Sequence, residues 1–390
     1  MTCALISGGG IAGLTLGILL KEAGFEPLIV EREPALRAEG YMMDFFGSGW
    51  DVAERMGLVD ELRAIHYPID ALEFVDDQGK PFVSVPIDIV RRALGGKYVY
   101  LRRSDLEGIL YERAQADGVV VRFGSSIAAL NQDGDKVDVT FDDGADAPFD
   151  LVFGADGVHS KVRTLVFGDE QQFDRFLGAY VAAFHLKHHS FDLDRALKLH
   201  EETDRVGAFY PLDERRMDAT YVFRHDELQV PHERRLDFVR DEYKGTGWIL
   251  ERVLDEYSGT EPIFFDSMTQ IVMPRWYQGR VALLGDACGC LTLLAGQGSH
   301  MAMAGAYVLT RELVRHGGDY DAAFAAYQAL LKPAVDKRQR DAATFAKMFI
   351  PSRRSWPWLR RFVIGLMFNS IALPLVFRFF GVKSVLAGYE

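Results

Sequence analysis

The sequence predicts an α/β protein that contains a parallel sheet and a second, separate β-sheet. The residue pattern at the amino end indicates a strand, a glycine-rich turn, a helix and another strand, in that order. Two later apolar strands are each followed by an aspartate. Elsewhere, alternating apolar and polar residues indicate the strands of the second sheet. The 390 residues suffice for two to three domains, and 48% hydrophobic against 26% charged residues is the balance of a globular protein.

The charge balance disfavours nucleic acid as a partner. Lys and Arg total 44 against 56 Asp and Glu, and the formal net charge of -12 repels phosphate backbones. Only three cysteines occur, and Cys288 and Cys290 are too close in sequence to close a loop, which favours a reducing compartment such as the cytoplasm. The apolar N-terminus is interrupted by glycines and follows no basic residues, so it is a poor signal peptide.

The amino-terminal residues form one predicted unit. Residues 3–7 form a strand and residues 14–23 form a helix. Between them, Gly8, Gly10 and Gly13 match G-x-G-x-x-G, which allows a tight turn, a close backbone approach to a pyrophosphate and close packing of helix on strand. A pyrophosphate would lie on the helix N-terminus, where unpaired N–H groups favour an anion. The alternative is a purely structural glycine turn.

An acidic residue ends the second strand, which covers residues 27–30. Glu31 lies 18 residues after Gly13, where a carboxylate can accept both ribose hydroxyl protons of an adenosine. An acid here disfavours a 2'-phosphate, so the sequence predicts FAD or NAD rather than NADP as the resident dinucleotide. The predicted cofactor site of this unit also includes Ile11, Ala12 and Arg32.

Two further strands place an aspartate at their carboxyl ends. Residues 149–155 run into Asp156, and residues 280–284 run into Gly285 and Asp286. The carboxyl ends of strands form the edge where open α/β sheets bind ligands. Because a flavin cofactor has a ribityl chain and a ring system to be held in addition to its nucleotide, these extra sites favour flavin over nicotinamide.

The three motifs together resemble those of the FAD-dependent aromatic hydroxylases of the para-hydroxybenzoate hydroxylase type, which are single-component flavoprotein monooxygenases. That family carries G-x-G-x-x-G, then D-G-x-x-S-x-x-R, then G-D, and here these are residues 8–13, 156–163 and 285–286. The resemblance covers roughly residues 3–335. Within the family, the local sequence is most similar to the tetracycline-inactivating enzymes and related polyketide hydroxylases.

The resemblance implies roles for individual residues. It assigns Glu31 to the adenosine ribose, Asp286 to the ribityl chain and Asp156 to the region of the pyrophosphate. Arg103 matches an R-x-x-L element whose arginine contacts the flavin, and the alternative is an ordinary arginine in a helix-capping turn. Asp44 lies in a loop that supplies a flavin-facing residue in the family, and the alternative is a turn carboxylate.

A glycine-rich segment follows the third motif. Gly296, Gln297 and Gly298 open a predicted helix, whose N-terminus would stabilise negative charge on the pyrimidine of reduced flavin. The alternative is a glycine turn before a packed helix. Two positions depart from the family pattern: Gly289 replaces a histidine, and Leu293 replaces a proline that lies near the reacting site.

The resemblance also implies two domains that interleave along the chain. The expected Rossmann-like FAD-binding domain covers residues 1–70, 100–177 and 274–335, the β-sheet substrate domain covers 71–99 and 178–273, and C-terminal helices cover 336–390. Aromatic residues on the second sheet would suit a flat aromatic guest. The pocket candidates are Tyr210, Tyr221, Phe223 and Arg224, although any single one of these aromatic residues is more commonly a core residue.

The implied activity is a monooxygenase reaction. Transiently bound NAD(P)H reduces a tightly held FAD, O2 adds to form a C4a-hydroperoxyflavin, and its distal oxygen attacks an electron-rich ring. The expected substrate is an aromatic or polyketide-like small molecule, with tetracyclines as one candidate. A flavin oxidase or dehydrogenase, a Baeyer-Villiger-type oxygenase and a non-enzymatic FAD-binding protein are the alternatives.

No metal site is expected, because His185, His188 and His189 lack companion ligands and the two neighbouring cysteines lack a second pair. Near the C-terminus, a helix at residues 334–348 precedes an uncharged stretch at 362–377. That stretch is shorter than the ~20 residues that span a bilayer, and it contains an asparagine and a proline. It is predicted to dock across both domains, and contact with an anionic membrane surface is the alternative.

Overall fold

The computed structural model describes residues 1–36, 41–132, 134–259, 263–293, 296–351, 357–368 and 384–389. It confirms the predicted α/β class, because a mainly parallel sheet is combined with a larger, mainly antiparallel sheet. A two-stranded ribbon and a three-stranded sheet complete the β-structure of the described residues.

The first sheet carries the three motifs. Its strands are β1 (Cys3–Ser7), β2 (Glu26–Glu31), β7 (Val120–Phe123), β11 (Leu151–Gly154), β17 (Tyr277–Gln278) and β18 (Val281–Leu283). Their order is β17-β18-β11-β1-β2-β7, and all neighbours are parallel except β17 and β18. The strands that precede the three motifs, β18, β11 and β1, are therefore adjacent, and their loops leave the same edge of the sheet.

Helices pack on this sheet and between its connections. They are α1 (Ile11–Glu22), α2 (Gly47–Arg55), α3 (Val59–Ala64), α5 (Arg103–Ala116), α6 (Lys161–Phe167), α9 (Asp286–Gly289) and α10 (Gly298–Arg315). Helix α4 (Ile87–Ala93) packs instead in a core of the second sheet. Helix α1 packs against α5 and α10. Its residues are apolar nearly throughout, as expected for a helix that is covered on all sides, and Leu14, Leu16 and Ile18 are fully buried.

The second sheet has seven strands. They are β4 (Ala71–Val75), β5 (Pro81–Pro86), β12 (Asp174–Leu186), β13 (Ala196–Glu202), β14 (Arg205–Pro211), β15 (Met217–Arg224) and β16 (Phe264–Ile271). The order is β16-β12-β15-β14-β13-β4-β5, and only β13 and β4 pair in parallel. Helices α7 (Arg235–Glu242) and α8 (Leu250–Glu256) cover one face, here called the outer face, and form a hydrophobic core with it.

The opposite, inner face of the second sheet packs against the two-stranded ribbon of β3 (Met42–Phe46) and β6 (Tyr98–Arg102). The three-stranded sheet consists of β8 (Ile127–Asn131), β9 (Val137–Phe141) and β10 (Asp146–Phe149). The ribbon therefore lies between the two large sheets: Phe45 belongs to the core of the first sheet, and Tyr100 belongs to the core on the inner face of the second.

Helix α11 (Tyr320–Phe349) corrects a sequence-based boundary. The helix predicted from residue 334 begins at Tyr320 and continues through Pro333. Proline lacks an N–H and clashes with the preceding turn, so it ends most helical patterns. Here Leu331 and Val335 on either side of it are buried in the core, and this packing offsets the cost.

The described parts of the C-terminal tail contact both large sheets. In α12 (Pro357–Met367), Ile364 is buried in the core on the inner face of the second sheet. Residues 384–389 lie elsewhere: the Val385 N–H donates to Ser48 Oγ of α2 at 2.9 Å, and Leu386 is buried in the core of the first sheet. These contacts are those of a docked tail. Residues 369–383 lie outside the described residues. Among the residues that are described, no helix is long and apolar enough to cross a bilayer.

Candidate functional site

The first motif forms a turn that only glycine fits. Gly8 has φ of 110°, and a Cβ there would lie 2.4 Å from the carbonyl oxygen of Ala155 in the second motif. A Cβ on Gly13 would lie 1.9 Å from the Gly8 carbonyl oxygen. The glycines thus let β1, α1 and the loop after β11 approach one another at backbone distance.

A cleft opens at this turn. The sequence-predicted residues that line it are Gly8, Gly10, Glu31, Arg32, Arg103 and Asp156. Helix α1 begins beside it, and no side chain among the described residues caps the first N–H groups of α1. The cleft therefore offers unpaired helix amides to an anion, as a pyrophosphate site requires.

Glu31 is held in place at the end of β2. Its Oε2 accepts a hydrogen bond from the Gly9 N–H at 2.7 Å, and its Oε1 accepts one from the Glu33 N–H at 3.0 Å. The carboxylate thus lies over the glycine turn with acceptor positions to spare. The neighbouring Arg32 is mostly exposed and lies 3.5 Å from Glu33, so this cation is on the cleft's rim.

The second motif fastens the first motif through Asp156. Its carboxylate accepts hydrogen bonds from the Ser160 hydroxyl at 2.5 Å and the Val162 N–H at 3.1 Å, and it lies 3.4 Å from the Ser7 hydroxyl. Burial raises the pKa of Asp156, and the hydrogen bonds oppose that rise. Ser160 in turn caps α6 by accepting from the Arg163 N–H at 3.0 Å.

The same motif reaches the third motif through Arg163. This side chain is fully buried, and its Nη1 donates to the Ala287 carbonyl at 3.0 Å. Its Nη2 donates to the Val158 carbonyl at 2.6 Å and to Glu170 at 2.9 Å. The three motifs that lie far apart in sequence are therefore tied into one unit by Asp156 and Arg163. Sequence reasoning identified Arg163 only as part of the motif, because its partners come from another strand.

A second cluster of polar groups lies around Asp286. Burial raises the pKa of Asp286, and the positive charge of Arg103 opposes that rise. Arg103 at the start of α5 also pairs with the buried carboxylate of Glu107 at 2.7 Å. Tyr41 lies among these groups, and burial raises the pKa of its hydroxyl, which therefore stays protonated. The structure thus brings Arg103 and Asp286 together, and it adds Glu107 and Tyr41, which no motif marks.

The glycine-rich segment meets the same cluster. A Cβ on Gly298, the first residue of α10, would lie 3.6 Å from Asp286 Oδ1. Gly296 has φ of 59°, and the side chain of Gln297 accepts a hydrogen bond from Arg338 of α11 at 2.8 Å. A Cβ on Gly285 would lie 3.1 Å from the Cβ of Ala12, so α9, α10 and α1 converge. Residues 294–295 lie outside the described part of the chain.

Asp44 lies in β3, and the flavin contact that the resemblance suggests for it stays a prediction. Its side chain points from β3 toward β6, where the Tyr98 hydroxyl donates to it. The backbone carbonyl of Asp44 instead lies 3.0 Å from Nε2 of His300 in α10. Any contact of this residue with a group at the N-terminus of α10 is therefore made by its backbone, while its carboxylate faces the second sheet.

The structure places two of the four pocket candidates in the outer core. Tyr221 and Phe223 lie on the outer face of the second sheet, in the core beneath α7 and α8, and Tyr221 donates to the Leu250 carbonyl at 2.9 Å. Arg224 donates to the carbonyls of Lys347 and Ile350 and so caps the end of α11. Alternation along a strand does not reveal which face is covered by helices, and for this reason Tyr221 and Phe223 were predicted as pocket residues.

Tyr210, like Arg224, lies on the inner face of the second sheet. It is partly exposed on the inner face, and the nearby carboxylates of Asp44 and Asp218 add to the effect of burial in raising the pKa of its hydroxyl. Phe184 and Phe209, two further aromatic residues of the second sheet, lie in the outer core. The inner face therefore offers a polar rather than a mainly aromatic surface.

The two departures from the family pattern have structural counterparts. A Cβ on Gly289 would lie 2.9 Å from a methyl group of Val335 in α11 and 3.6 Å from the Trp276 ring, so α11 occupies the space that a larger side chain would take. Leu293 packs against the inner-face cluster that contains Val181 and Val222.

The described residues fit FAD. The cleft supplies a carboxylate for the ribose and helix amides for the pyrophosphate. Arg103, which lines the cleft, also acts on the charge of Asp286, and Asp286 lies beside the first residue of α10. The buried hydroxyl of Ser125 on the cleft wall has no partner among the described residues, as expected of a group that awaits a ligand.

Comparison with protein families agrees with this fit. A family model described as an FAD binding domain matches residues 1–340. A flavin-dependent monooxygenase of Legionella longbeachae is 31% identical over 356 residues, which cover 89% of this chain and 89% of that protein. An uncharacterised protein of Mycobacterium tuberculosis is 35% identical and covers 87% of this chain and 92% of its own length.

Solved structures share the fold over nearly the whole chain. The tetracycline destructase Tet(55) has a TM-score of 0.83 and 28% identity, with 98% of this chain and 97% of that chain covered. The tetracycline destructase Tet(51) has a TM-score of 0.79 and 29% identity, with 95% and 97% covered.

Proposed function

The chain belongs to the FAD-binding-domain family of flavin-dependent monooxygenases, and on that premise we propose that it hydroxylates an aromatic or polyketide-like small molecule with NAD(P)H and O2 as co-substrates. The observation that carries the proposal is the joining of three distant motifs, through Asp156 and Arg163, beside a cleft that Gly8, Glu31 and Asp156 line. A cleft with a glycine turn, free helix amides and a carboxylate at a strand end suits a dinucleotide.

The chain's own residues bind and orient the cofactor. Glu31 would hold the adenosine ribose, the amides of α1 would hold the pyrophosphate, and Asp286 with Arg103 would hold the ribityl chain. The N-terminus of α10 places positive dipole ends next to Asp286 and would stabilise negative charge on the reduced ring. When bound and reduced, FAD supplies the activation of O2 for insertion of one oxygen atom into an electron-rich ring.

Tetracyclines are the first substrates to test. Tet(51) and Tet(55), at 29% and 28% identity over nearly the whole chain, are named as tetracycline destructases. NAD(P)H would bind transiently, because G-x-G-x-x-G occurs once in the sequence and is assigned here to FAD.

The direct experiment measures NAD(P)H oxidation by the purified, FAD-loaded protein with tetracycline and with a panel of phenols. A monooxygenase is expected to oxidise NAD(P)H faster when its substrate is present and to release a product heavier by one oxygen atom. Release of one H2O2 per NAD(P)H with every compound would instead identify an oxidase. Failure of NAD(P)H to reduce the flavin would favour a non-enzymatic FAD-binding protein.

Cofactor binding has its own test. Asp286→Ala removes the carboxylate that is proposed to hold the ribityl chain. The variant is expected to weaken FAD binding at least about tenfold, as loss of a charged hydrogen-bond partner does. The matched control is Asp213→Ala, which removes an exposed turn carboxylate. Full FAD retention in Asp286→Ala would refute the role given to Asp286.

A further inference from the structure

A buried carboxylate stands between the ribbon and the second sheet without a catalytic role so far. Asp44 of β3 lies directly opposite Tyr100 of β6, and Phe46 lies opposite Tyr98. Alternation along both strands puts Asp44, Tyr98 and Tyr100 on the same face of the ribbon. That face is turned to the inner face of the second sheet, since Tyr98 and Tyr100 share a core with Leu199 and Ala208.

Two tyrosine hydroxyls hold the carboxylate. Tyr98 donates to Asp44 Oδ1, and Tyr100 also forms a side-chain hydrogen bond with Asp44. Both tyrosines are buried, whereas Asp44 keeps a partly exposed surface. A carboxylate has about four lone-pair positions, so two tyrosines leave Asp44 able to accept a further hydrogen bond from the open side.

The inner face of the second sheet lines that open side. Across β12, β15 and β14, cross-strand pairs align His185 with Asp218 and Asp218 with Tyr210. The next row on the same face consists of the small residues Ala183, Thr220 and Ala208. Thr220 and Tyr210 are both partly exposed, so a low floor of small side chains lies beside a row of polar ones.

The titratable groups around Asp44 leave its carboxylate as the hydrogen-bond acceptor of this cluster. Burial raises the pKa of Asp44, and the two tyrosine hydroxyls oppose that rise. Burial and the nearby Asp44 raise the pKa of Tyr98 and Tyr100 well above the usual range, and the same causes act on Tyr210, so all three remain protonated donors. His300, which faces the Asp44 carbonyl, has its pKa lowered by burial to about 4 and is neutral. Asp218 is engaged by Arg102 and His185.

We propose that Asp44 is the residue that selects and orients the substrate, by accepting a hydrogen bond from an acidic ring hydroxyl, a phenol or an enol. This assignment rests on the proposed function and names the substrate class of the same site. A flat hydroxyl-bearing ring would lie beside the partly exposed Thr220 and Tyr210 with its hydroxyl toward Asp44. A ring without that hydroxyl, or with a methyl ether in its place, would leave the open acceptor position of Asp44 without a donor and would bind poorly.

The test compares 2-naphthol with 2-methoxynaphthalene, which have the same ring system but only one of which donates a hydrogen bond. Binding to the FAD-loaded protein is followed by the change in flavin absorption. The unaltered protein is expected to prefer 2-naphthol by at least about tenfold, and Asp44→Asn to reduce that preference below about threefold. Asp105→Asn is the matched control, because Asp105 also accepts a hydrogen bond from a tyrosine hydroxyl, that of Tyr67 at 3.1 Å. The Asp105→Asn variant should keep the full preference for 2-naphthol.

A pH series separates recognition from a merely structural role. The preference for 2-naphthol should disappear as the pH falls and Asp44 becomes protonated. Tyr98→Phe removes a hydrogen bond that favours the ionised carboxylate, so the preference should disappear at a higher pH in that variant. This readout also serves if Asp44→Asn folds poorly.

The role given to Asp44 would be overturned if the unaltered protein bound both probes equally or did not bind 2-naphthol. It would also be overturned if Tyr98→Phe lost the preference for 2-naphthol at the same pH as the unaltered protein. If the same protein nevertheless oxidises NAD(P)H with tetracycline and inserts oxygen, the proposed function stands and only the role of Asp44 fails. If it binds 2-naphthol selectively but never oxidises NAD(P)H, the role of Asp44 stands and the proposed function fails.

Discussion

Single residues connect the cofactor loops, and Arg163 is the clearest example. A guanidinium with a fully buried side chain is costly unless every donor is directed at an acceptor. Arg163 meets most of this requirement: Nη1 and Nη2 donate to the carbonyls of Ala287 and Val158 and to Glu170, whereas Nε has no hydrogen-bond partner among the described residues. Lysine would not replace it, because a single ammonium group does not present donors in that planar arrangement.

Arg163→Gln is expected to lower the free energy of unfolding by about 3–5 kcal/mol, since it leaves buried acceptors unpaired. It should also weaken FAD binding, because Ala287 belongs to the loop that carries Asp286. Urea denaturation and FAD titration measure the two effects. Arg216→Gln, which removes a half-exposed partner of Asp213, should cost less than about 1 kcal/mol. Equal losses in the two variants would contradict this account.

His159 connects the second motif to the second sheet and is sensitive to pH. It lies 2.8 Å from Glu170 and 3.8 Å from Asp266 of β16. Asp266 and Glu170 raise its pKa to about 9, against the opposing effect of burial. Because the pKa is higher in the folded protein, the stabilisation is complete below the unfolded pKa of about 6.5 and is lost as pH rises through about 9.

His159→Gln is therefore expected to show a shallower fall in stability between about pH 7 and pH 10 than the unaltered protein. The difference should be small, because His159 is more than half exposed and solvent screens its ion pairs. Thermal unfolding midpoints of both proteins across this range provide the measurement. Parallel pH profiles would show that His159 contributes no linked stabilisation.

At the scale of elements, helix α11 replaces side chains that the family places in the cofactor loop. Val335 packs against Gly289, and Gln339 donates to the carbonyls of Ile271 and Cys290 at 2.7 and 2.9 Å. Gln270 of β16 donates to the Gln339 carbonyl at 2.7 Å. One helix thus fixes both the second sheet and the loop that follows Asp286.

A double-mutant cycle tests the packing of α11 on this loop. Gly289→Ala is expected to cost about 1–3 kcal/mol, because its Cβ would overlap a Val335 methyl group. Val335→Ala alone should cost about 1–3 kcal/mol through the cavity that it leaves. The double variant should be more stable than the sum of the two losses predicts, as seen by urea denaturation. Simple additivity would show that the two residues do not compete for space.

Elements also show where sequence patterns were sufficient. The strands and the helix of the first motif were located to within a few residues, because a glycine turn between an apolar strand and an apolar helix has few other solutions. The second sheet was also predicted, but not which of its faces the helices cover. Tyr221 and Phe223 were assigned to a pocket and lie under α7 and α8, and nothing local in β15 distinguishes the two faces.

At the scale of the whole molecule, the end of the chain returns to the first sheet. Tyr389 donates to Glu312 of α10 at 2.6 Å, and Arg55 of α2 donates to the Tyr389 carbonyl at 3.3 Å. Leu386 is buried between them and the core. Since α12 packs on the second sheet, the described parts of the tail stabilise both halves of the molecule.

Leu386→Ala is expected to lower the free energy of unfolding by about 2–4 kcal/mol, as truncation of a buried leucine does. Leu359→Ala on α12 is the matched control: its side chain is 45% exposed, and its loss should cost less than about 0.5 kcal/mol. Urea denaturation compares the two. A negligible effect of Leu386→Ala would mean that the end of the chain contributes little to the fold.

The sequence alone determined the α/β class, the glycine turn and the aspartates at the strand ends, because each depends on a few neighbouring residues that obey local backbone rules. Tertiary structure alone decided that Arg163 reaches the third motif, that Arg224 caps α11 and that Asp44 turns its carboxylate to Tyr98 and Tyr100. These contacts join residues far apart in the chain, and their partners follow from how sheets and helices pack rather than from spacing along the sequence.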